Sequence, residues 1–153
     1  MTSHSQIVAS LRQADLGALI VNIDHIGICV AAMDDGAELW SALLGRPLVD
    51  REDVAAASAT AGFFRFDNGS AIELVTPFGE NKGLAKFLES RGQALHHLAI
   101  RVTDINQAVT KLLEAGVPMI DKTPRIGAAG HLVAFIHPKV LNGTLLELVQ
   151  HRE

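Results

Sequence analysis

The sequence predicts an α+β fold of two repeated modules, each made of a β-strand, an α-helix and then three β-strands. A strand that begins at a histidine, a helix that ends at a glycine, and a later strand with a central glutamate each occur twice. The members of these pairs lie 72, 71 and 74 residues apart: His25 and His97, Gly45 and Gly116, Glu73 and Glu147. A spacing that stays nearly constant across three unlike elements indicates a duplicated module.

The first module is assigned from alternating apolar residues and turn signals. The predicted elements are a strand over 24–30, a helix over Ala37–Leu44, and strands over Pro47–Arg51, Thr60–Phe66 and Ala71–Thr76. Asp67-Asn68-Gly69 is a hairpin turn between the last two strands, because Asn and Gly tolerate the positive φ that such turns require.

The second module repeats the order. Its predicted elements are a strand over 96–102, a helix over Ala108–Leu113, and strands over Met119–Lys122, His131–His137 and Thr144–Gln150. A short helix from Leu84 to Arg91 links the modules, and residues 5–16 form an amphipathic helix with no chemistry of its own.

Composition restricts the class of protein. The 153 residues are 48% apolar and 20% charged, which is ordinary for a globular domain and excludes wholesale disorder. A net charge of −4 argues against a nucleic-acid partner. Cys29 is the single cysteine, so it has no partner for an internal disulfide. Because no stretch approaches the length of a membrane helix, we expect a cytoplasmic protein with no membrane partner.

The repeat places ligand-type residues at matching positions. Glu73 lies between Ile72 and Leu74, so its carboxylate is on the opposite face of the strand from those apolar side chains. A charged group inside such a strand is costly unless it meets a cation or another partner. The four matched residues would form a divalent metal site of two imidazoles and two carboxylates: His25, Glu73, His97 and Glu147. The neighbouring His96 is expected to point away from the site.

The residues resemble the vicinal oxygen chelate (glyoxalase/bleomycin-resistance) superfamily and, within it, the methylmalonyl-CoA epimerase family. The resemblance covers residues 22–150, and these phrases carry it: Asp24-His25-Ile26-Gly27-Ile28, Ile72-Glu73-Leu74, Leu95-His96-His97-Leu98-Ala99, Pro124-Arg125-Ile126-Gly127 and Phe135-Ile136-His137-Pro138-Lys139. It implies one domain over 1–153, with modules over 22–78 and 94–150, a linking helix over 83–92 and mixed sheets curled into a cup. It also implies a homodimer and a bound Co, Zn, Mn, Ni or Mg ion.

The resemblance implies a reaction as well as a fold. An acyl-CoA epimerase of this family moves one proton at the carbon between a carboxylate and a thioester, through a metal-stabilised enolate. His25, Glu73, His97 and Glu147 match the family's metal ligands, and Glu147 matches its catalytic, metal-bound glutamate. The position of a second family glutamate falls near Thr60 or Ala61, which carry no carboxylate. Glu73, a bound water or another residue would then supply the second acid, and we count Glu73 with Glu147 as a candidate catalytic residue.

Three residues are candidates for binding the substrate. Backbone amides near Gly130 are suited to a CoA phosphate or an acyl carboxylate, because glycine lets the backbone approach an anion. Lys139 and Arg125 are candidates for neutralising the substrate's carboxylate, although lysines and arginines are more often solvated at the surface.

Other functions remain compatible with the same ligands. A glyoxalase-type lyase acting on a thiol hemithioacetal needs the same four residues, and a non-catalytic binding protein could keep them. A ring-cleaving dioxygenase would use two histidines and one carboxylate with open positions for oxygen, so a fourth ligand-type residue counts against it. The sequence motifs around Arg125 and Lys139 favour the epimerase over the glyoxalase-type lyase.

Overall fold

A computed structural model describes residues 2–153 of the protein. The helices in this range are α1 (His4–Ala14), α2 (Met33–Leu44), α3 (Lys82–Arg91) and α4 (Ile105–Glu114), and the strands are β1 (Ile20–Cys29), β2 (Val49–Val54), β3 (Ala59–Arg65), β4 (Ala71–Pro77), β5 (Ala94–Val102), β6 (Arg125–Ile126), β7 (Leu132–Ile136) and β8 (Leu146–Gln150). The predicted α+β fold of two modules, each with one strand, one helix and three more strands, is confirmed.

The chain divides into two compact units. The first unit contains Asp24–His97 and Gly127–Ala129, and the second contains the residues up to Ile23, Leu98–Ile126 and Gly130–Glu153. The boundaries follow the sequence repeat, because the first unit holds nearly all of one module and the second unit most of the other.

In the first unit the strands lie in the order β2-β3-β4-β1. β4 is antiparallel to β3 and parallel to β1, the strand that opens the module. One face of this sheet packs against α2 through Met33 and the fully buried Phe64 and Leu74, and the partly buried Trp40 packs on the same cluster. Cys29 belongs to another cluster of this unit, and burial raises the pKa of its thiol to about 11. The cysteine is therefore a small core residue and not a nucleophile.

The second unit repeats this arrangement with the order β5-β8-β7-β6, in which β8 is parallel to β5 and antiparallel to β7. Helix α4 covers one face and buries Ile105, Ala108 and Leu112 completely. The helix predicted near the N-terminus is present as α1, and its Ile7 and Leu11 pack on the same core.

Helix boundaries extend beyond the predicted ones. α4 begins at Ile105 because the Asp104 side chain accepts a hydrogen bond from the backbone N–H of Gln107, which satisfies a free donor of the first turn. α2 begins at Met33, where Asp34 and Asp35 complement the positive end of the helix dipole. It ends at Gly45 in the left-handed conformation (φ 65°), as the sequence predicts.

The strand predicted over Met119–Lys122 does not form as a strand. Met119 makes a single bridge to Ile136, and the strand that pairs with β7 is instead β6, Arg125–Ile126. The reason lies in the side chain of Asp121, whose carboxylate accepts the backbone N–H of Phe135 at 2.8 Å. In a regular β-strand a backbone carbonyl would accept the N–H of Phe135. Here the Asp121 side chain accepts it instead, so the backbone hydrogen bonds between this segment and β7 are interrupted.

We expect Leu112→Ala to lower the free energy of unfolding by about 2–5 kcal/mol, because it leaves a cavity in the core under α4. The adjacent Leu113→Ala is the matched control, since Leu113 is 37% exposed and should cost less than about 1 kcal/mol. Urea unfolding followed by circular dichroism measures both. Equal losses in the two variants would contradict the assignment of α4's buried face.

Candidate metal centre

Three polar side chains meet inside the first unit. Nε2 of His97 lies 3.1 Å from Nε2 of His25 and 3.3 Å from Oε1 of Glu73, and the remaining His25–Glu73 distance is 3.8 Å. All three are buried, at 4%, 7% and 6% exposure for His25, His97 and Glu73. Two imidazole nitrogens and one carboxylate oxygen thus lie within 4.8 Å of one another, a separation that one metal ion can bridge.

Strand register brings these groups together. β1 and β4 pair with Gly27 opposite Glu73, so the residue two positions before Gly27, His25, lies on the same face as the carboxylate. The neighbours of Glu73 in β4 point to the other face, where Leu74 is buried against α2. The alternation inferred from the sequence is therefore correct in this strand.

Gly27 leaves the space that the His97 imidazole occupies. A Cβ atom at this position would lie 2.0 Å from Cε1 of His97 and 2.3 Å from its Nδ1. Such distances are far shorter than any van der Waals contact, so a side chain here would displace the ring. The glycine is needed for this close approach and not for an unusual backbone conformation.

Asp24 orients the first imidazole. Nδ1–H of His25 donates to Oδ2 of Asp24 at 2.7 Å, and both residues are buried. Because a carboxylate only accepts, the ring proton stays on Nδ1 and the lone pair of Nε2 points to the cluster. This carboxylate–histidine arrangement is the usual support of a metal-binding imidazole.

His96 contacts the His97 ring at Nδ1, whereas Nε2 of that ring faces His25 and Glu73. Its Nδ1 lies 2.9 Å from Nδ1 of His97, and its ring packs edge-on against Phe87 of α3 with centroids 4.9 Å apart. Burial, together with the positive charge of His97, lowers the pKa of His96 to about 4, although Glu73 acts in the opposite direction. His96 is therefore neutral near pH 7 and can accept the Nδ1 proton of His97.

The carboxyl group of Glu73 is ionised at neutral pH. Burial by itself raises the pKa of Glu73, but the hydrogen bond with His97 and the charges of His97 and His25 outweigh it and hold the pKa below its ordinary value. The cluster therefore offers one anionic oxygen, and it offers two imidazole lone pairs when both rings are neutral with their protons on Nδ1. This donor set suits Zn, Co, Ni, Fe or Mn, so the residues present fit the divalent metal predicted from the sequence.

Glu147, the fourth predicted ligand, lies in β8 of the second unit. It is buried and pairs with Ala99 in β5 and with Phe135 in β7. Its register repeats that of Glu73, because each glutamate lies opposite the residue two positions after a histidine: Gly27 after His25, and Ala99 after His97. The role of Glu147 as ligand and base stays a prediction.

The predicted substrate contacts have different surroundings. Arg125 donates from Nε to Oδ1 of Asp121 at 3.1 Å, and its guanidinium lies over the ring of Phe135. Lys139 is exposed in a short turn that follows His137. Gly130 has φ 73° and lies against the side chain of Arg152. None of the three roles is tested by these contacts.

The structure also shows polar residues that the sequence did not single out for the site. Asp24 was visible in the Asp-His phrase, but its role appears only in the hydrogen bond to His25. Glu52 in β2 pairs with Ala61, where the resemblance left no carboxylate, and it accepts a hydrogen bond from the backbone of Ala129. Thr60 donates to Asp53 at 2.6 Å. No sequence signal links Glu52 to Ala61, since strand pairing alone places it there.

Among residues 2–153 no helix has the length and apolar character needed to cross a membrane.

Known proteins resemble this chain over most of its length. The methylmalonyl-CoA epimerase of Dictyostelium discoideum mitochondria is 34% identical over 130 residues, which cover 84% of this chain and 78% of that protein. The ethylmalonyl-CoA/methylmalonyl-CoA epimerase of Cereibacter sphaeroides is 35% identical over 134 residues, covering 86% and 99%. The crystal structure of methylmalonyl-CoA epimerase from Mycobacterium tuberculosis superimposes with a TM-score of 0.83 at 33% identity, covering 90% of this chain and 92% of the other.

These similarities confirm the predicted fold and the predicted enzyme class, an isomerase of the epimerase type. The family model of the Glyoxalase/Bleomycin resistance protein/Dioxygenase superfamily matches residues 24–135. By this match over most of its length, the chain belongs to that superfamily.

Proposed function

We propose that the protein is a metal-dependent acyl-CoA epimerase that interconverts the epimers of methylmalonyl-CoA by moving one proton at a single carbon. The observation that carries the proposal is the buried convergence of His25, Glu73 and His97. The names of the relatives supply the substrate, because they act on methylmalonyl-CoA or ethylmalonyl-CoA.

His25, Glu73 and His97 would hold the metal, and the repeated strand register supports Glu147 as the fourth ligand. When bound, the metal supplies a Lewis acid that makes the C–H between the carboxylate and the thioester more acidic. Asp24 and His96 keep the two imidazoles in the orientation and protonation that such binding requires.

Two carboxylates carry the proton. Glu147 is the base that removes the proton from the substrate carbon, as a buried carboxylate without its proton can do. Glu73 is assigned to the return step. The pKa of Glu73 is held below its ordinary value, so its carboxylate must first take up a proton from solvent before it can give that proton to the opposite face of the substrate carbon. Glu147 releases the proton it removed to solvent when the cycle closes.

Proton exchange in deuterated buffer tests the proposed function. We expect NMR to show deuterium entering methylmalonyl-CoA at the carbon between the two carbonyl groups, with exchange lost after chelation and restored by added divalent metal. A protein that holds metal and exchanges no proton would contradict the epimerase. It would favour a lyase acting on a thiol hemithioacetal, or a binding protein with the same fold.

Glu147→Gln keeps the shape of the side chain but removes its basicity. We expect it to lower the exchange rate by about 10²- to 10⁴-fold while metal binding is only weakened. Glu114→Gln, which changes an exposed glutamate at the end of α4, is the control and should exchange normally. Undiminished exchange in Glu147→Gln would show that another residue is the base.

Gly27→Ala tests the close approach of the His97 ring. The added methyl group must displace that imidazole, so we expect metal affinity to fall by about 10- to 100-fold, as measured by competition with a chromophoric chelator. Gly17→Ala is the matched control, because a Cβ there would meet no atom within 4 Å. Unchanged affinity in a folded Gly27→Ala protein would remove His97 from the ligand set.

The homodimer, the cytoplasmic location and the identity of the metal stay predictions. Light scattering of the purified protein tests the first, and a monomer mass at micromolar concentration would contradict it.

A further inference from the structure

A cavity in the second unit is lined by cationic and hydrogen-bonding side chains. Its volume is about 520 Å³, and the polar groups around it belong to Arg101, Thr103, Gln150, His151 and Arg152. It lies beside the ends of β5 and β8, at residues that the epimerase chemistry above does not use.

The two arginines at this cavity have no anionic partner among the residues that the structure describes. Within residues 2–153 no carboxylate lies within 4.0 Å of the guanidinium of Arg101 or of Arg152. In the described part of the chain three other arginines are paired with acids: Arg51 with Asp34, Arg65 with Asp50, and Arg125 with Asp121. Arg101 is also half-buried, so its positive charge is partly removed from water while no nearby carboxylate of the described residues offsets that cost.

The backbone around the second arginine is well fixed. The N–H of Arg152 donates to Nδ1 of His131 at 2.9 Å, and the ring of His131 stacks on that of His151 with centroids 4.3 Å apart and planes 1° from parallel. A Cβ at Gly130 would lie 3.1 Å from Nη1 of Arg152, so the glycine lets the guanidinium lie close to the backbone. The backbone of Arg152 is therefore fixed beside the cavity, and its exposed side chain lies at the rim.

Hydrogen-bond donors accompany these charges. Oε1 of Gln150 accepts the backbone N–H of Ile105 at 2.8 Å, which leaves the amide NH₂ of Gln150 as a donor. Glu153 is the one acidic residue that lines the cavity among those described, and it is exposed at the surface. Two guanidinium groups and an amide donor match an anion with several oxygens, and the fork of arginine fits phosphate well.

We propose that this cavity binds a phosphate group of the acyl-CoA substrate. The proposal rests on the proposed function for the identity of the ligand, whereas the cavity by itself indicates an anion with several oxygens. His151 comes four residues after Glu147, which corresponds to about 13 Å along a strand. A CoA thioester carries its phosphates at the far end of the pantetheine arm, so a phosphate site removed from the catalytic carboxylate suits this ligand.

Calorimetric titration with CoA itself tests the cavity without any turnover. We expect Arg101→Gln and Arg152→Gln each to raise the Kd for CoA by about tenfold, with a weaker salt dependence than in the unmodified protein. Arg12→Gln, which removes an exposed charge on α1, is the control and should bind normally. Circular dichroism must show that all variants are folded.

Three further ligands identify the source of the phosphate. If the 3′-phosphate occupies the cavity, the arginine variants lose affinity for CoA but not for dephospho-CoA. If the diphosphate occupies it, both ligands are affected and pantetheine is not. Inorganic phosphate that binds as tightly as CoA, with the same sensitivity to Arg101→Gln, would identify a site for the free anion.

Unchanged CoA affinity in both arginine variants would overturn the proposal, as would equal losses with pantetheine, which carries no phosphate. Failure of the proposed function is distinguishable from these results. A protein that binds CoA through Arg101 but exchanges no substrate proton keeps the phosphate site and loses the epimerase. A protein that exchanges the proton with unaltered CoA affinity in the variants keeps the epimerase and loses the phosphate site.

Discussion

The burial of one carboxylate beside two imidazoles determines how the strands of the first unit must pair. An ionised glutamate in a strand of apolar neighbours is costly unless a positive or hydrogen-bonding group meets it. Glu73 meets His97 at 3.3 Å and His25 at 3.8 Å, and these contacts exist only because β1 and β4 pair with Gly27 opposite Glu73. A shift of this register by one residue would turn Glu73 toward the core under α2. The polar cluster and the apolar core thus specify the same alignment.

The contacts around the cluster are those expected of a metal site rather than of a simple ion pair. Asp24 keeps the proton of His25 on the nitrogen that faces away from Glu73, and His96 offers a neutral acceptor to the outer nitrogen of His97. Both imidazoles can therefore direct an unshared electron pair to the place where the carboxylate lies. The glycine at position 27 serves the same end, since it makes room for the His97 ring.

The repeat in the sequence predicted most of the fold and three members of the candidate site, because strand alternation and helix-ending glycines depend on local residue order. His25, Glu73 and His97 were identified by their matching positions, and the alternation around Glu73 was correct. The strand over Met119–Lys122 was wrong because the Asp121 side chain takes a backbone partner from β7, which a hydropathy pattern cannot show. Three further features depend on side-chain packing and strand pairing, so no local pattern reveals them: the contact of His96 with His97, the position of Glu52 beside Ala61, and the placement of Arg101 and Arg152 at one cavity.

X-ray absorption of the zinc-loaded protein tests the central claim most directly, because it counts the imidazoles around the ion. The account predicts one zinc per chain with two imidazole nitrogens at about 2.0–2.1 Å and oxygen ligands beside them. His97→Ala should lose stoichiometric zinc or retain a single imidazole. A protein that binds no zinc, or one whose zinc spectrum is the same in His25→Ala and His97→Ala as in the unmodified chain, would contradict the assignment of this cluster as a metal centre.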